Sequence, residues 1–188
     1  MTSDRSKLRA ENEALRHQVA TLRQELRCLE EQTSLLVNLC VTSHRLHETA
    51  NRRELLDILR EIINNIVGSE ELGIFELDAK RSALSLVHSM GIDPAGFQSI
   101  PLGSGVIGHT ALTGKTFIAS DGACPTVTGL EPGLTACIPL RCFGGHVWGV
   151  IAIFGMLPQK PALKPEDREL FALLERQAGM VLAMTRPD

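Results

Sequence analysis

Leucine recurs at every seventh position through the first 36 residues of the chain. The repeated residues are Leu8, Leu15, Leu22, Leu29 and Leu36. If these leucines occupy the d positions of a heptad, the a positions fall on Asn12, Val19, Leu26 and Thr33. A heptad with leucine at d predicts a long helix whose narrow apolar stripe is covered only when a second helix packs against it. We therefore expect the first third of the chain to form a coiled coil.

The residues on and beside this stripe favour two parallel helices. Val19 is β-branched and Asn12 is polar, and both features at a positions favour a parallel dimer, in which the two Asn12 side chains can hydrogen-bond across the seam. In that register Glu11 meets Arg16 of the second helix, which is a favourable pair of charges, whereas Glu25 meets Glu30, which is a repulsive one. We predict that residues 1–48 are a parallel coiled-coil dimerisation helix. The alternative is a helix that packs on its own domain.

Composition excludes several classes of protein. The chain of 188 residues carries a net charge of −3, and neither its first 48 residues nor the remainder is basic, so nucleic acid is not the expected partner. No apolar run approaches the ~18–20 residues needed to span a bilayer, and no secretory signal is evident, so we expect a cytoplasmic protein that does not bind membranes. The five cysteines form no C-x-x-C pair, so neither a disulfide framework nor a zinc ribbon is expected.

Residues 49–188 read as one α/β domain. Asn51 and Glu54 resemble a capping box that starts a helix ending at Gly68. Strand-like runs follow at 72–77, 83–88, 116–119, 136–143 and 146–154, with a short helix predicted at 109–113 and a final helix from Pro165. Gly144-Gly145 predicts a tight hairpin between the last two strands. Only six charged residues lie between Ser82 and Leu163, so we expect a sheet covered on both faces.

The order and spacing of these motifs resemble a GAF domain. The likeness rests on five segments: Ile100–His109 with its G-x-G-x-x-G turn, Gly114–Asp121, Ile138–Leu140, Gly149–Phe154 and Lys164–Leu170. A dinucleotide-binding reading of the glycines does not fit, because they open a helix of barely two turns. The resemblance implies an α+β fold, an antiparallel sheet with helices on both faces.

The resemblance also bears on ligands. GAF domains bind cyclic nucleotides, bilins, haem or small metabolites. The chain has no asparagine after Asn65, as cyclic-nucleotide binding would need, and no Cys-His pair, as bilin attachment would need. Lone histidines such as His88, the candidate haem ligands, are ordinary surface or core residues, so no cofactor is predicted. His44 and His47 have metal-capable spacing, which solvated polar residues also explain, and no metal is predicted. The resemblance points to a weak ligand pocket comprising His109, Cys124, Thr126, Thr128 and Cys137.

One branch of the family reduces free methionine sulfoxide with a loop cysteine, and Cys124 stands where that nucleophile would be. Ile107 occupies the place where that branch would have a resolving cysteine, and Cys137 is the other candidate for the resolving role. We therefore predict a non-catalytic regulatory or adaptor protein of signal transduction that acts by ligand sensing or by recruiting a protein partner. A thiol-dependent enzyme or redox sensor is the alternative.

A second dimer contact is also predicted. Ile63 and Phe171 lie off the main apolar stripes of their helices, so they are candidates for burial against the partner chain. The alternative is that both helices simply cover their own sheet.

Overall fold

The computed structural model describes residues 2–48, 51–119, 131–160 and 162–185, with side chains from Glu11 onward. The chain divides into two compact units, residues 1–40 and 41–188. The last turns of the first helix, from residue 41 onward, belong to the second unit.

The first unit consists of most of helix α1 (Thr2–Glu48). The heptad residues with described side chains are all exposed, and the apolar ones (Leu15, Val19, Leu22, Leu26, Leu29 and Leu36) keep between 45% and 66% of their surface accessible. Asn12 and Thr33 are exposed as well, and Leu8 lies outside the described side chains. A helix with this much apolar surface in water has no packing partner within its own unit.

The second unit is built on an antiparallel sheet. Among the described residues the strands are β1 (Leu72–Leu77), β2 (Ala83–Met90), β3 (Ser99–Pro101), β4 (Phe117–Ile118), β5 (Ala136–Arg141) and β6 (Val147–Ile153), in the spatial order β3-β2-β1-β6-β5-β4. The helices are α2 (Arg52–Ile62), α3 (Gly105–Thr113) and α4 (Pro165–Met184), with a 3₁₀ turn at Pro94–Phe97. The mixed α/β fold with an antiparallel sheet is therefore confirmed.

One face of the sheet is covered by α4, on which α2 packs. Ile74, Ile151 and Ile138 stand opposite one another on β1, β6 and β5, and all three are fully buried. Gly179 lets α4 approach closely, because a Cβ there would lie 2.2 Å from the carbonyl oxygen of Arg141. The last turns of α1 join this layer, where Gln177 Nε2 donates to Ser43 Oγ at 2.9 Å.

The helix after Asn51 begins and ends where predicted, but its last turn is not α-helical. Asn51 caps α2 by accepting a hydrogen bond from the amide of Arg53 at 3.0 Å. The helix then widens into a π turn over Ile63–Val67 and ends at Gly68, whose φ is +82°. The π turn inserts an extra residue, so the buried face moves from Ile66 to its neighbour Val67.

Burial within one chain bears on the second predicted dimer contact. Ile63 is 0% exposed and Phe171 on α4 is 2% exposed within the single chain. Both side chains belong to the hydrophobic core between the helices and the sheet, so neither can face a second chain. The expectation that they contribute to dimerisation is wrong.

Candidate functional site

The glycine-rich motif places α3 against the opposite face of the sheet. The helix begins at Gly105, four residues earlier than the sequence predicted, and ends at Gly114 in the left-handed conformation. Val106, Ile107 and Ala111 pack into an apolar cluster with residues of β1, β5 and β6. The motif therefore serves a tight turn and a short helix, as expected for the family resemblance.

A carboxylate occupies the start of this helix. Glu131 Oε2 accepts a hydrogen bond from the amide of Val106 at 3.0 Å, and Oε1 accepts one from the amide of Ile107 at 3.3 Å. Amides in the first turn have no partner within a helix, and the helix dipole favours an anion there. Glu131 therefore ties the chain that follows residues 120–130 to the N-terminus of α3.

Two glycines of the motif make this arrangement sterically feasible. A Cβ on Gly105 would lie 2.2 Å from Glu131 Oε1, and the φ of Gly105 is +60°. A Cβ on Gly108 would lie 2.5 Å from the carbonyl oxygen of Pro101. Gly105 thus allows the Glu131 carboxylate to approach the helix closely, and Gly108 allows the backbone at Pro101 to do so. In a dinucleotide-binding fold, glycines at such positions would make room for a phosphate.

Cys137 lies on β5 beneath α3 and is fully buried. Burial raises the pKa of its thiol well above the ordinary value; a hydrogen bond from Thr110 opposes the shift and the charge of Glu131 adds to it. Since the thiolate is the reactive form, this cysteine is a poor nucleophile. Cys137 therefore contributes apolar volume to the site.

The outer part of this face is aromatic. The Phe97 ring lies 5.3 Å from that of Phe154 and 6.4 Å from that of Phe75, in tilted and edge-on arrangements. Phe97 is only partly buried, as are Leu86, Ile92 and Ile100 beside it. An apolar surface of this kind suits the hydrophobic part of a small ligand or a protein side chain.

The structure brings together part of the predicted pocket. Cys137 and α3 meet on this face, and His109 on α3 is half-buried. Cys124, Thr126 and Thr128 lie outside the described residues. Sequence reasoning missed Glu131 as a functional residue; its one signal was its charge in a segment where charges are sparse.

Two further classes of site are absent from the described part of the chain. No group of three or more His, Cys, Asp or Glu side chains there could hold a metal ion. None of the helices described is both long enough and apolar enough to cross a membrane.

Comparison with known proteins agrees with the architecture. The family model for the GAF domain matches residues 49–183. The chain therefore belongs to the GAF domain family, as the order of its motifs predicted. No curated protein sequence matches the chain.

Solved structures with this fold differ in activity. The GAF domain of an Acinetobacter phosphoenolpyruvate-protein phosphotransferase is 20% identical, with a TM-score of 0.58 over 79% of this chain and 92% of that one. Residues 122–287 of a methyl-accepting chemotaxis protein are 21% identical, with a TM-score of 0.56 over 77% and 96%. A type II free methionine-R-sulfoxide reductase from Thermoplasma acidophilum is 18% identical, with a TM-score of 0.53 over 71% and 93%. At these identities the likeness concerns the fold alone.

Proposed function

We propose that the chain is a non-catalytic GAF regulatory protein of signal transduction, a homodimer through α1, that acts by sensing a small ligand or recruiting a protein partner. The observation that carries the proposal is the exposed heptad stripe of α1 on the same chain as a GAF domain. GAF folds occur in signalling proteins such as the chemotaxis protein above. A dimer of regulatory domains would give a ligand or partner two linked sites on which to act.

The occupant of the stripe is a second copy of the same chain. The heptad residues repeat in a register that two identical parallel helices satisfy, and Glu11 and Arg16 are placed to pair between them. An isolated helix gains little stability from its own residues in water. Burial of the leucines between two copies would stabilise both helices at once.

The proposed sensing site is the α3 face. It combines partly buried aromatic and aliphatic side chains with Glu131, which holds the adjoining chain to α3. A ligand that binds there would stabilise the folded domain in proportion to its concentration. We place the protein in the cytoplasm, where its dispersed cysteines would stay reduced.

A ligand screen separates the two modes of action. A metabolite that raises the melting temperature of the full chain, with an effect that saturates, supports sensing. If no metabolite does so and a specific protein is captured by the wild-type chain, the recruitment mode is favoured. If the chain consumes free methionine sulfoxide with a thiol reductant and Cys124→Ser abolishes the turnover, the non-catalytic proposal is wrong.

A further inference from the structure

A cavity lies at the C-terminal end of α3, at the end of the sheet where two hairpins turn. Its volume is about 230 Å³, and it is bounded by the C-terminal end of α3, the β1–β2 turn and the β5–β6 turn. The polar side chains that line it are Arg81, Thr113, Arg141 and His146. Apolar walls come from residues such as Leu77 and Leu102. None of the lining residues carries a carboxylate, and the basic groups among them are Arg81, Arg141 and His146.

The two hairpins bring two basic side chains together. Arg81 Nη1, in the β1–β2 turn, lies 3.4 Å from His146 Nδ1, in the β5–β6 turn. Arg141, the third basic group, has its Nε 2.9 Å from Oε1 of Glu175 on α4, so its charge is already balanced. Among the residues that the structure describes, Arg81 makes no ion pair with a carboxylate. An unbalanced guanidinium beside an imidazole at the rim of a cavity attracts an anion.

The carboxylate of Asp78, in the same turn as Arg81, already accepts hydrogen bonds within that turn. The donors are the hydroxyl and the amide of Ser82, each at 2.7 Å. These bonds, the side-chain one first, lower the pKa of the Asp78 carboxyl. Asp78 therefore shapes the turn, and its carboxylate is not the partner of Arg81.

The backbone of Arg81 supports a role beyond the turn. Its φ is +52°, and it is the one non-glycine residue with a positive φ in the described part of the chain. A left-handed conformation disfavours residues with a Cβ by roughly 1–2 kcal/mol, so glycine or asparagine is usual at such a position. The chain instead keeps an arginine, whose guanidinium carbon lies 5.7 Å from the centre of the Trp148 ring. The guanidinium lies against the Trp148 ring and beside His146 at the rim of the cavity.

We propose that this cavity binds a small oxyanion, a phosphate or carboxylate group carried by a compact molecule, with Arg81 and His146 as its main ligands. Guanidinium groups bind planar or tetrahedral oxyanions through two parallel hydrogen bonds. The volume admits inorganic phosphate, a short dicarboxylate or a small phosphorylated metabolite, and is below the ~300–1,000 Å³ of sites for larger ligands. The site lies at the opposite end of α3 from Glu131, and the proposal does not depend on the function proposed for the α3 face.

The test is calorimetric titration of the full chain with inorganic phosphate and with malonate, at constant ionic strength. We expect saturable binding of at least one of them. Arg81→Gly should weaken that binding at least about tenfold, because a charge-assisted pair is lost. Since glycine suits a positive φ, the same variant should keep or raise the melting temperature, which separates a binding defect from misfolding.

Lys80→Ala is the matched control. Lys80 lies in the same turn and has the same charge, but it is not among the lining residues. It should change the affinity less than about twofold. Trp148, the single tryptophan of the chain, gives a second readout through its fluorescence, which should change on binding in both wild type and Lys80→Ala. Absence of saturable binding of both anions, or an equal loss in Lys80→Ala and Arg81→Gly, would overturn the proposal.

Discussion

Glu131 and Gly105 are matched across the start of α3: the carboxylate of Glu131 lies where a side chain on residue 105 would have to be. The same carboxylate accepts hydrogen bonds from the next two amides, those of Val106 and Ile107. The glycine motif of this GAF domain therefore makes room for an acidic residue 26 positions further along the chain. That residue joins the turn, the helix and the chain that follows residues 120–130.

Glu131→Ala should lower the free energy of unfolding by about 1–2 kcal/mol, because two helix amides lose their acceptor. Gly105→Ala should lower it by at least as much, through the steric conflict with Glu131 and the strain of a positive φ. The two effects should be far from additive, since the conflict disappears once Glu131 is removed. Urea unfolding of the single and double variants measures the coupling.

Gly145→Ala isolates the strain, because Gly145 has a φ of +78° and a Cβ there would have no neighbour within 4 Å. It should cost about 1 kcal/mol. If the changes in the free energy of unfolding caused by Gly105→Ala and Glu131→Ala were additive, the Glu131 carboxylate would not occupy the space next to residue 105.

The buried ion pair at the start of α4 should be important for stability. Asp167 is 3% exposed; its Oδ1 lies 2.6 Å from Lys160 Nζ, and its Oδ2 accepts a hydrogen bond from the amide of Lys164 at 2.7 Å. Asp167→Ala leaves the half-buried ammonium of Lys160 without its carboxylate, although Nζ still donates to the carbonyl oxygen of Ile66, and should lower the free energy of unfolding by about 2–3 kcal/mol. Glu169→Ala, at an exposed position on the same helix, should change it by less than about 0.5 kcal/mol. Similar effects of the two variants in thermal or urea unfolding would contradict the assignment.

The corrected role of Phe171 is tested on α4 as well. Phe171→Glu buries a charge in the core and should unfold the domain, seen as loss of cooperative melting. Met184→Glu is the control, because Met184 lies on the same helix and is 85% exposed. It should leave the melting temperature almost unchanged. A folded Phe171→Glu protein with weakened self-association would instead restore Phe171 to the dimer interface.

Two cysteines of α1 report the register of the proposed coil. Cys40 continues the a positions of the heptad, whereas Cys28 falls on a c position, and both are exposed in the single chain. Facing a residues of two parallel helices lie within reach of a disulfide, whose Cα atoms are roughly 4.4–6.8 Å apart. A mild oxidant such as diamide should therefore give a covalent dimer on a non-reducing gel. Cys40→Ser should abolish that dimer and Cys28→Ser should retain it; the reverse pattern would exclude a parallel, in-register coil.

Local signals in the sequence predicted most of the fold. Asn51 at the start of α2, Pro165 at the start of α4 and the hairpin at Gly144-Gly145 were each placed correctly, because caps and positive φ angles depend on a few adjacent residues. The start of α3 was placed too late, since glycine has a low helix propensity and Gly105 lies inside the first turn. Strand β3 was missed because it is short and contains a proline.

Long-range relationships explain the remaining differences. The π turn at Ile63–Val67 changes the helical period, so a stripe drawn at the α-helical spacing placed Ile63 on the wrong side of the helix. Glu131 reaches α3 from a distant part of the chain, and Arg81 meets His146 only because two hairpins turn at the same end of the sheet. No short segment encodes such contacts, so the site residues they create had to come from the structure.

The central claim, a homodimer through α1, is tested most directly by the molar mass of the full chain from light scattering at micromolar concentration. The account predicts twice the chain mass of 20.5 kDa. Deletion of residues 1–36 should weaken the dimer strongly while the GAF domain still melts cooperatively, and Asn12→Leu should stabilise the coil while loosening its preference for two chains. A mass of 20.5 kDa for the intact chain, or an undiminished dimer after the deletion, would contradict it.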